Sequence, residues 1–244
     1  MLMQTDGRRI DTDAADNHKI DNGQKDNTAQ ATGKINSRRC KVKICGLFRE
    51  EDIAYVNAAM PDFIGFVFWD KSKRRVTKEQ AKRLKNKLNP LIQAVGVFVD
   101  EEREVVLDLL KEGIIDIAQL HGSETEEYIR WLKEKSGRPV IRMIRLARDT
   151  DYDMLEQTAA DYLLFDSGLG SGRTFDWSLI ERVKGHCHKP FFLAGGLGED
   201  NADEAIRQVA PFALDMSSSL ETDGVKDEEK IKRLMMVIQH GFEQ

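Results

Sequence analysis

The chain has 244 residues, of which 41% are hydrophobic and 32% are charged, and its formal net charge at pH 7 is -5. This balance is typical of a globular protein with a full core, and the acidic net charge argues against a nucleic acid as the main partner. The chain contains neither a run of about 18 apolar residues nor the apolar core of a signal peptide, so we expect no membrane partner and a cytoplasmic location.

Three cysteines, Cys40, Cys45 and Cys187, form an odd set without a C-x-x-C pair. Such a set suggests neither a disulfide framework nor a zinc site, and it fits a reducing compartment. We therefore expect free thiols and no bound metal.

Residues 1–39 are rich in Asp, Asn, Gln, Thr and Lys and contain no Phe, Trp or Tyr. A segment of this composition cannot bury enough apolar surface to offset the entropy lost on ordering. The sequence therefore predicts a disordered polar leader over residues 1–39 and a folded domain over residues 40–244.

From Lys41 onward, strand-like and helix-like patterns alternate. The predicted strands are Val42 to Ile44, Phe63 to Phe68, Ala94 to Val99, Ile117 to Leu120, Val140 to Ile144, Tyr162 to Phe165, Phe191 to Ala194 and Ala213 to Met216. The predicted helices are Glu50 to Ala59, Thr77 to Leu88, Arg103 to Glu112, Thr125 to Lys135, Asp151 to Ala159, Trp177 to Lys184, Asn201 to Val209 and Asp227 to His240.

Several predicted helices carry start and stop signals. Thr77 precedes Gln80 by three residues, and Ser123 stands just ahead of an acidic first turn, as N-cap residues do. Gly113 and Gly137 stand where two helices should end.

Eight strand–helix units predict parallel strands joined by right-handed crossovers, and eight is the number that closes into a barrel. The competing architecture is an open doubly wound sheet, whose dinucleotide-binding form has a G-x-G-x-x-G turn after its first strand. Cys45-Gly46-Leu47-Phe48 is not such a turn. The fold class we predict is therefore α/β, a single (β/α)8 barrel of the TIM type.

In such barrels the reactive groups lie at the carboxyl ends of the strands. Cys45 ends the first strand, and Gly46 lets the backbone bend sharply behind it. A thiol with a reference pKa of about 8.5 becomes a base or nucleophile only where the site favours the thiolate. The alternative interpretation is that Cys45 is a small buried apolar residue, as many free cysteines are.

Small residues follow strands six, seven and eight. Gly195-Gly196-Leu197 precedes a helix, Ser217 to Ser219 follow strand eight, and Gly168 to Gly172 form a third glycine-rich turn. Loops after the seventh and eighth strands commonly hold a phosphate in barrel enzymes. Each turn alone could be merely a tight connection, but the three together predict a phosphate site.

Two titratable groups end apolar strands. Asp166 follows Tyr162 to Phe165, so partial desolvation could raise its pKa and suit a general acid; the alternatives are a turn cap or an ion pair with Arg173. His121 could act as a base or form a hydrogen bond at the rim. No second His or carboxylate stands at metal-binding spacing, so we do not predict a metal ligand.

Four arginines also lie near the predicted mouth. Arg74 and Arg75 belong to a polar loop where the usual role is a solvated surface, although a guanidinium there could bind a carboxylate. Arg142 and Arg145 are predicted to follow strand five.

Taken in order, these motifs resemble the phosphoribosylanthranilate isomerase family, a group of barrel enzymes of tryptophan biosynthesis, over essentially the whole chain from Lys41 to His240. The motifs that carry the resemblance are Lys43-Ile44-Cys45-Gly46, Gly65-Phe66-Val67-Phe68 with Lys71-Ser72-Lys73-Arg74, Gly96-Val97-Phe98-Val99, Gln119-Leu120-His121-Gly122, Asp166 with Gly170-Ser171-Gly172-Arg173-Thr174-Phe175-Asp176-Trp177, Leu193-Ala194-Gly195-Gly196-Leu197 and Asp215-Met216-Ser217-Ser218.

The resemblance implies the Amadori rearrangement of N-(5-phosphoribosyl)anthranilate to 1-(2-carboxyphenylamino)-1-deoxyribulose 5-phosphate, the third step of tryptophan synthesis from chorismate. It implies Cys45 as general base, Asp166 as general acid and Arg74 opposite the anthranilate carboxylate. It also implies no cofactor, a small phosphosugar as partner, and a monomer or homodimer. The further substrate-binding residues that it implies are His121, Gly170, Gly172, Gly195, Gly196, Asp215, Ser217 and Ser218.

The chain departs from the family pattern at two places. Leu47-Phe48 stands where relatives commonly have Ile-Thr, and Ser219 replaces a glycine, so the contacts of these two loops are expected to differ from the family pattern. Two other hypotheses compete. The histidine-pathway isomerase catalyses the same rearrangement but has an aspartate in place of Cys45, and a phosphosugar-binding barrel without catalysis would not need both Cys45 and Asp166.

Overall fold

The computed structural model describes residues 40–146, 150, 152–166 and 178–240. They belong to a unit that spans Arg38–Gln244. The predicted leader over residues 1–39 and the glycine-rich turn with Gly170 and Gly172 lie outside the described residues. Among the residues described, no helix is long and apolar enough to cross a bilayer.

Eight parallel strands close into a barrel in chain order, and β1 pairs with both β2 and β8. The strands are β1 Lys41–Cys45, β2 Phe63–Val67, β3 Gln93–Phe98, β4 Ile117–Leu120, β5 Val140–Ile144, β6 Tyr162–Asp166, β7 Phe191–Ala194 and β8 Ala213–Met216. The helices are α1 Glu50–Ala59, α2 Lys78–Lys85, α3 Arg103–Lys111, α4 Glu126–Ser136, α5 Tyr152–Gln157, α6 Ser178–His186, α7 Ala202–Val209 and α8 Glu228–His240. The predicted (β/α)8 barrel is confirmed.

The strands are apolar at nearly every position because both of their faces are buried. One set of side chains fills the barrel interior, including Phe63, Ile117, Leu164 and Phe192, with the Phe63 and Phe192 ring centroids 5.3 Å apart. Side chains of the opposite parity pack between sheet and helices. Residues two positions beyond the interior set therefore point into the mouth of the barrel, where the polar strand ends lie.

The start signal predicted for α2 is confirmed, and the predicted beginning of α4 at Thr125 is confirmed as well, but the start signal assigned to Ser123 is wrong. Thr77 Oγ1 accepts a hydrogen bond of 3.2 Å from Gln80 N. Ser123 does not cap α4; its N–H and hydroxyl both donate to Asp100 Oδ1, at 2.6 and 2.7 Å. Thr125 is the N-cap and accepts from Tyr128 N, because Ser123 instead links the loop after β4 to Asp100 in the loop after β3.

Gly137 ends α4 with φ +64°, and Gly113 follows α3 with φ +69°, so both predicted stop signals are confirmed. Arg142, by contrast, does not lie at the mouth. It belongs to β5 and pairs with Glu126 at the start of α4, because its neighbour Ile141 takes the inward position of the strand.

A short hairpin between β8 and α8 was not predicted from the sequence. It consists of the 3₁₀ turn η1 Ser218–Leu220 and the strands β9 Glu221–Thr222 and β10 Val225–Lys226. Asp223 and Gly224 connect the two strands with φ +54° and +80°. An Asp-Gly pair is a recognised hairpin signal, but two-residue strands are too short to reveal a period.

Candidate active site

A cavity of about 270 Å³ opens at the carboxyl ends of the strands. It brings together eight of the predicted site residues, from strands or turns that are distant in sequence. Its lining is Cys45, Val97, Gln119, His121, Asp166, Ala194, Gly195, Gly196, Leu197, Asp215, Met216, Ser217, Ser218 and Ser219.

The Cys45 thiol lies where glycines leave it room. A Cβ added at Gly65, its register partner on β2, would lie 2.6 Å from Cys45 Sγ. Gly46 bends the chain with φ +85° and has the Arg74 side chain against it. Burial raises the pKa of the Cys45 thiol, while Lys43 and Lys226 lower it. Cys45 lines the cavity, so the alternative interpretation of a wholly buried apolar cysteine is wrong.

Lys43 and Asp215 form a buried ion pair at the floor of this cavity. Lys43 Nζ lies 2.8 Å from Asp215 Oδ2, and the two residues are register partners on β1 and β8. Burial alone lowers the pKa of Lys43, but Asp215 and Cys45 reverse this and the net direction is upward. Asp215 Oδ1 is buried and has no hydrogen-bond partner among the described residues. No role was predicted for Lys43, although it lies two residues before Cys45 on β1 and its side chain therefore points to the same face of the strand.

Three side chains continue around the wall from β4 to β6. Gln119 Nε2 lies 3.2 Å from His121 Nδ1, and His121 Nε2 lies 3.9 Å from Asp166 Oδ2. Burial lowers the pKa of His121, against the opposing effect of Asp166, which favours the neutral imidazole. Gln119 was part of a family motif in the sequence analysis but had no assigned role.

The turn after β7 has the backbone freedom that an anion site needs. Gly195 and Gly196 have φ values of +93° and +67°, and Asn201 holds the turn by donating to Gly196 O at 3.1 Å. A Cβ at Gly198 would lie 3.1 Å from Ser219 Cβ. Gly198 therefore accommodates the serine that departs from the family pattern.

The serine turn after β8 is tied to both neighbours. Ser217 Oγ donates to Cys45 O at 3.0 Å, and Lys226 Nζ donates to Ser217 O at 3.0 Å and to Glu221 Oε1 at 2.5 Å. The Lys226 side chain is fully buried. The missed hairpin thus supplies a buried cation beneath the predicted phosphate turn.

Arg74 is held by the same hairpin. Its Nε and Nη2 atoms donate to the two carboxylate oxygens of Glu221, each at 2.6 Å. Its side chain is 30% exposed, and Arg74 is not one of the residues that line the cavity. Arg75 instead pairs with the exposed Asp70, which fits the solvated interpretation of that residue.

A closed (β/α)8 barrel whose strand ends gather a thiol, a carboxyl group and flexible glycine and serine turns around one cavity is the architecture of a barrel enzyme. Residues 14–237 match the family model described as "N-(5'phosphoribosyl)anthranilate (PRA) isomerase". The chain therefore belongs to this family of isomerases.

Individual relatives agree with the family match. An N-(5'-phosphoribosyl)anthranilate isomerase from Endomicrobium trichonymphae is 43% identical over 203 residues, which cover 81% of this chain and 98% of that protein. A phosphoribosyl anthranilate isomerase solved in complex with reduced 1-(o-carboxyphenylamino)-1-deoxyribulose 5-phosphate superposes with a TM-score of 0.72 at 35% identity, covering 82% of this chain and 99% of that one. Monomers derived from the dimeric enzyme of Thermotoga maritima give 0.73 at 35% identity, with the same coverage.

Proposed function

We propose that this chain converts N-(5-phosphoribosyl)anthranilate to 1-(2-carboxyphenylamino)-1-deoxyribulose 5-phosphate, with Asp166 as general acid and Cys45 as general base. The observation that carries the proposal is that both side chains line one cavity with the turns after β7 and β8. A relative bound to a reduced form of the proposed product supports the same reaction class.

The acid step opens the ribofuranose ring. Asp166 gives its proton to the ring oxygen while the bond between that oxygen and C1 breaks, and the nitrogen lone pair forms an iminium. The carboxylate that remains lies 3.9 Å from His121 Nε2, a distance that substrate binding can shorten.

The base step follows from the iminium, which acidifies the hydrogen on C2. The Cys45 thiolate removes that hydrogen and the electron pair forms the enolamine, which tautomerises to the ketone as C1 gains a proton. Lys43 and Lys226 favour the thiolate against the burial that disfavours it. Because Cys45 and Asp166 come from β1 and β6, they can flank one bound pentose.

Binding at the two ends of the substrate orients the sugar between acid and base. We propose that Gly195, Gly196, Ser217 and Ser218 hold the phosphate, because the glycine turn exposes backbone N–H groups and the serines add hydroxyls. Arg74, oriented by Glu221, is proposed to face the anthranilate carboxylate with the donors that Glu221 does not occupy.

The proposal is tested by complementation of two bacterial auxotrophs, one lacking the tryptophan-pathway isomerase and one lacking the histidine-pathway isomerase. We expect growth of the first and not of the second, and turnover of the aminoribosyl substrate by purified protein. Growth of the histidine auxotroph alone would show that the chain catalyses the histidine-pathway reaction instead. No turnover of either substrate, with the phosphosugar still bound, would favour the barrel without catalysis.

We further propose a cytoplasmic location and a small-molecule phosphosugar as the partner. The oligomeric state stays a prediction of monomer or homodimer, which analytical ultracentrifugation of the purified chain would distinguish.

A further inference from the structure

The wall of the cavity contains a line of three polar side chains, Gln119, His121 and Asp166. Gln119 and His121 are two residues apart on β4 and just beyond it, so both point inward, and the line ends at Asp166. Val97 and Ile141 are the register partners of Gln119 on the neighbouring strands. Apolar residues therefore flank the amide on both sides, and its contact with His121 decides its orientation.

Two orientations of the amide are possible in principle, and each fixes a different tautomer of His121. If the amide NH₂ faces Nδ1, Nδ1 must accept and the ring proton sits on Nε2. If the amide oxygen faces Nδ1, the proton sits on Nδ1 and Nε2 carries a lone pair. One amide atom lacks a described protein partner in either case, since Gln119 Oε1 has none as oriented here.

The charges around the imidazole discriminate between these two states. Asp166 Oδ2 lies 3.9 Å from His121 Nε2, and the charged groups that act on the ring are Asp166, Asp215, Lys43 and Arg145. Of these charged groups Asp166 has the largest effect on the ring, and its carboxylate can only accept when it is ionised. A lone pair on Nε2 would be repelled by that carboxylate, whereas an N–H is attracted. When Asp166 holds the proton that it gives to the substrate, its carbonyl oxygen still accepts from Nε2–H.

We infer that Gln119 is a positioning residue: its amide NH₂ donates to His121 Nδ1 and so keeps the ring proton on Nε2, directed at Asp166. This inference rests on the proposed function for its kinetic consequence, because the Nε2–H stabilises the carboxylate that Asp166 becomes after giving up its proton. Burial favours the neutral imidazole, in which one proton is available and its place matters.

Two substitutions of nearly equal volume separate the roles of the amide. Gln119→Met removes the donor, so both tautomers become accessible. Gln119→Glu offers only acceptor oxygens while ionised, so it places a proton on Nδ1, either by switching the tautomer or by forming the imidazolium. Because Gln119 is 2% exposed, the buried charge of the Glu variant could impair folding, and the Met variant keeps the inference testable in that event. Thermal unfolding monitors the folding of both.

The tautomer is read directly from long-range ¹H–¹⁵N correlation spectra of protein labelled at its five histidines, with His121 assigned by His121→Asn. We expect Nε2–H in the unchanged protein, an Nδ1–H form in Gln119→Glu and a mixture in Gln119→Met. In turnover assays we expect kcat to fall by about tenfold in Gln119→Glu, because the transition state loses part of its stabilisation. We expect KM to change little.

An Nδ1–H tautomer in the unchanged protein, or an unaltered His121 spectrum in both variants, would overturn the inference. So would an unchanged kcat in a variant whose tautomer has switched. The spectra need no substrate, so absence of turnover by the unchanged protein would count against the proposed function and leave the tautomer assignment standing.

Discussion

The space around the Cys45 thiol is made by a residue on the neighbouring strand. Gly65 is the register partner of Cys45, and any side chain there would meet the sulfur and the Cys45 backbone at once. The thiol is therefore both sheltered and fixed. This explains how a short strand can end in a thiol that lines the cavity of an otherwise apolar barrel.

Gly65→Ala tests this packing. The added Cβ would lie 2.6 Å from Cys45 Sγ and 3.1 Å from Cys45 Cα, so the sulfur must move. We expect kcat to fall by roughly 10²-fold, the cost of a displacement of about 1 Å at a reacting group. Gly185→Ala is the matched control, because nothing lies within 4 Å of its added Cβ in α6. Equal kcat values for the two variants would show that the thiol has room to spare.

The pH dependence of the reaction follows from the same burial. Because burial raises the pKa of the Cys45 thiol, the thiolate is scarce at pH 7 and increases as the pH rises. Because the mechanism also needs a proton on Asp166, loss of that proton offsets the gain of thiolate in the unchanged enzyme. In Asp166→Asn no acid titrates, so if Cys45 is the base the residual kcat/KM of that variant should rise with pH above about pH 7, since this ratio reports the free enzyme. A residual profile that stays flat in Asp166→Asn would exclude the Cys45 thiolate as the base.

Asp166→Asn separates binding from chemistry. The amide keeps the shape of the carboxyl group but has no acidic proton to give to the ring oxygen. We expect kcat to fall by about 10²- to 10⁴-fold, the usual contribution of a positioned acid. Binding of the reduced product analogue, measured by calorimetry, should be little changed. A variant with the original kcat would remove Asp166 as the acid.

At the scale of elements, the sequence predicts the regular parts of the barrel well because their cause is local. Side chains alternate between the two faces of a strand, and the carboxyl ends of all parallel strands lie at the same end of the barrel. These two rules place Cys45, Asp166 and the turns after β7 and β8 together without any knowledge of contacts. The failures have non-local causes. Serine is common at the N-cap of a helix, yet the Ser123 hydroxyl donates a hydrogen bond to Asp100, 23 residues earlier in the chain. Arg142 faces outward because Ile141 fills the barrel interior.

The roles of Lys43, Lys226 and Glu221 could not be predicted for the same reason. A lysine in sequence is most often solvated, and only the closure of β8 against β1 brings Asp215 to Lys43. The hairpin β9–β10 has two residues in each strand, so no pattern could indicate that Lys226 turns inward beneath Ser217. These contacts depend on the closed barrel.

The hairpin makes a prediction of its own. Lys226→Met removes the donor to Ser217 O and a buried positive charge next to the turn that we propose holds phosphate. We expect KM for the substrate and the inhibition constant of inorganic phosphate both to rise about tenfold, equivalent to roughly 1.4 kcal/mol. Lys232→Met removes an exposed lysine on α8 and serves as the control. Similar inhibition constants for phosphate in both variants would show that Lys226 does not contribute to phosphate binding.

Across the whole molecule, the barrel interior changes character along its axis. Large apolar side chains such as Phe63 and Phe192 fill the amino-terminal part, and the polar cavity occupies the other end. The Lys43–Asp215 pair marks the boundary, at the seam where the last strand closes on the first. The pair places charge near Cys45, and each partner favours the charged form of the other against its burial.

Lys43→Met tests the contribution of this pair to the stability of the whole chain. Removal of the lysine leaves Asp215 buried without its cation, and such a loss typically costs about 3–5 kcal/mol of unfolding free energy. Replacing both partners, as Lys43→Met with Asp215→Leu, should recover most of that loss, because a buried pair exchanged for packed apolar groups is often neutral. Urea unfolding of the three proteins measures the difference. If the single variant is as stable as the unchanged chain, the seam is held by its apolar neighbours and backbone hydrogen bonds, and the pair acts on the cavity alone.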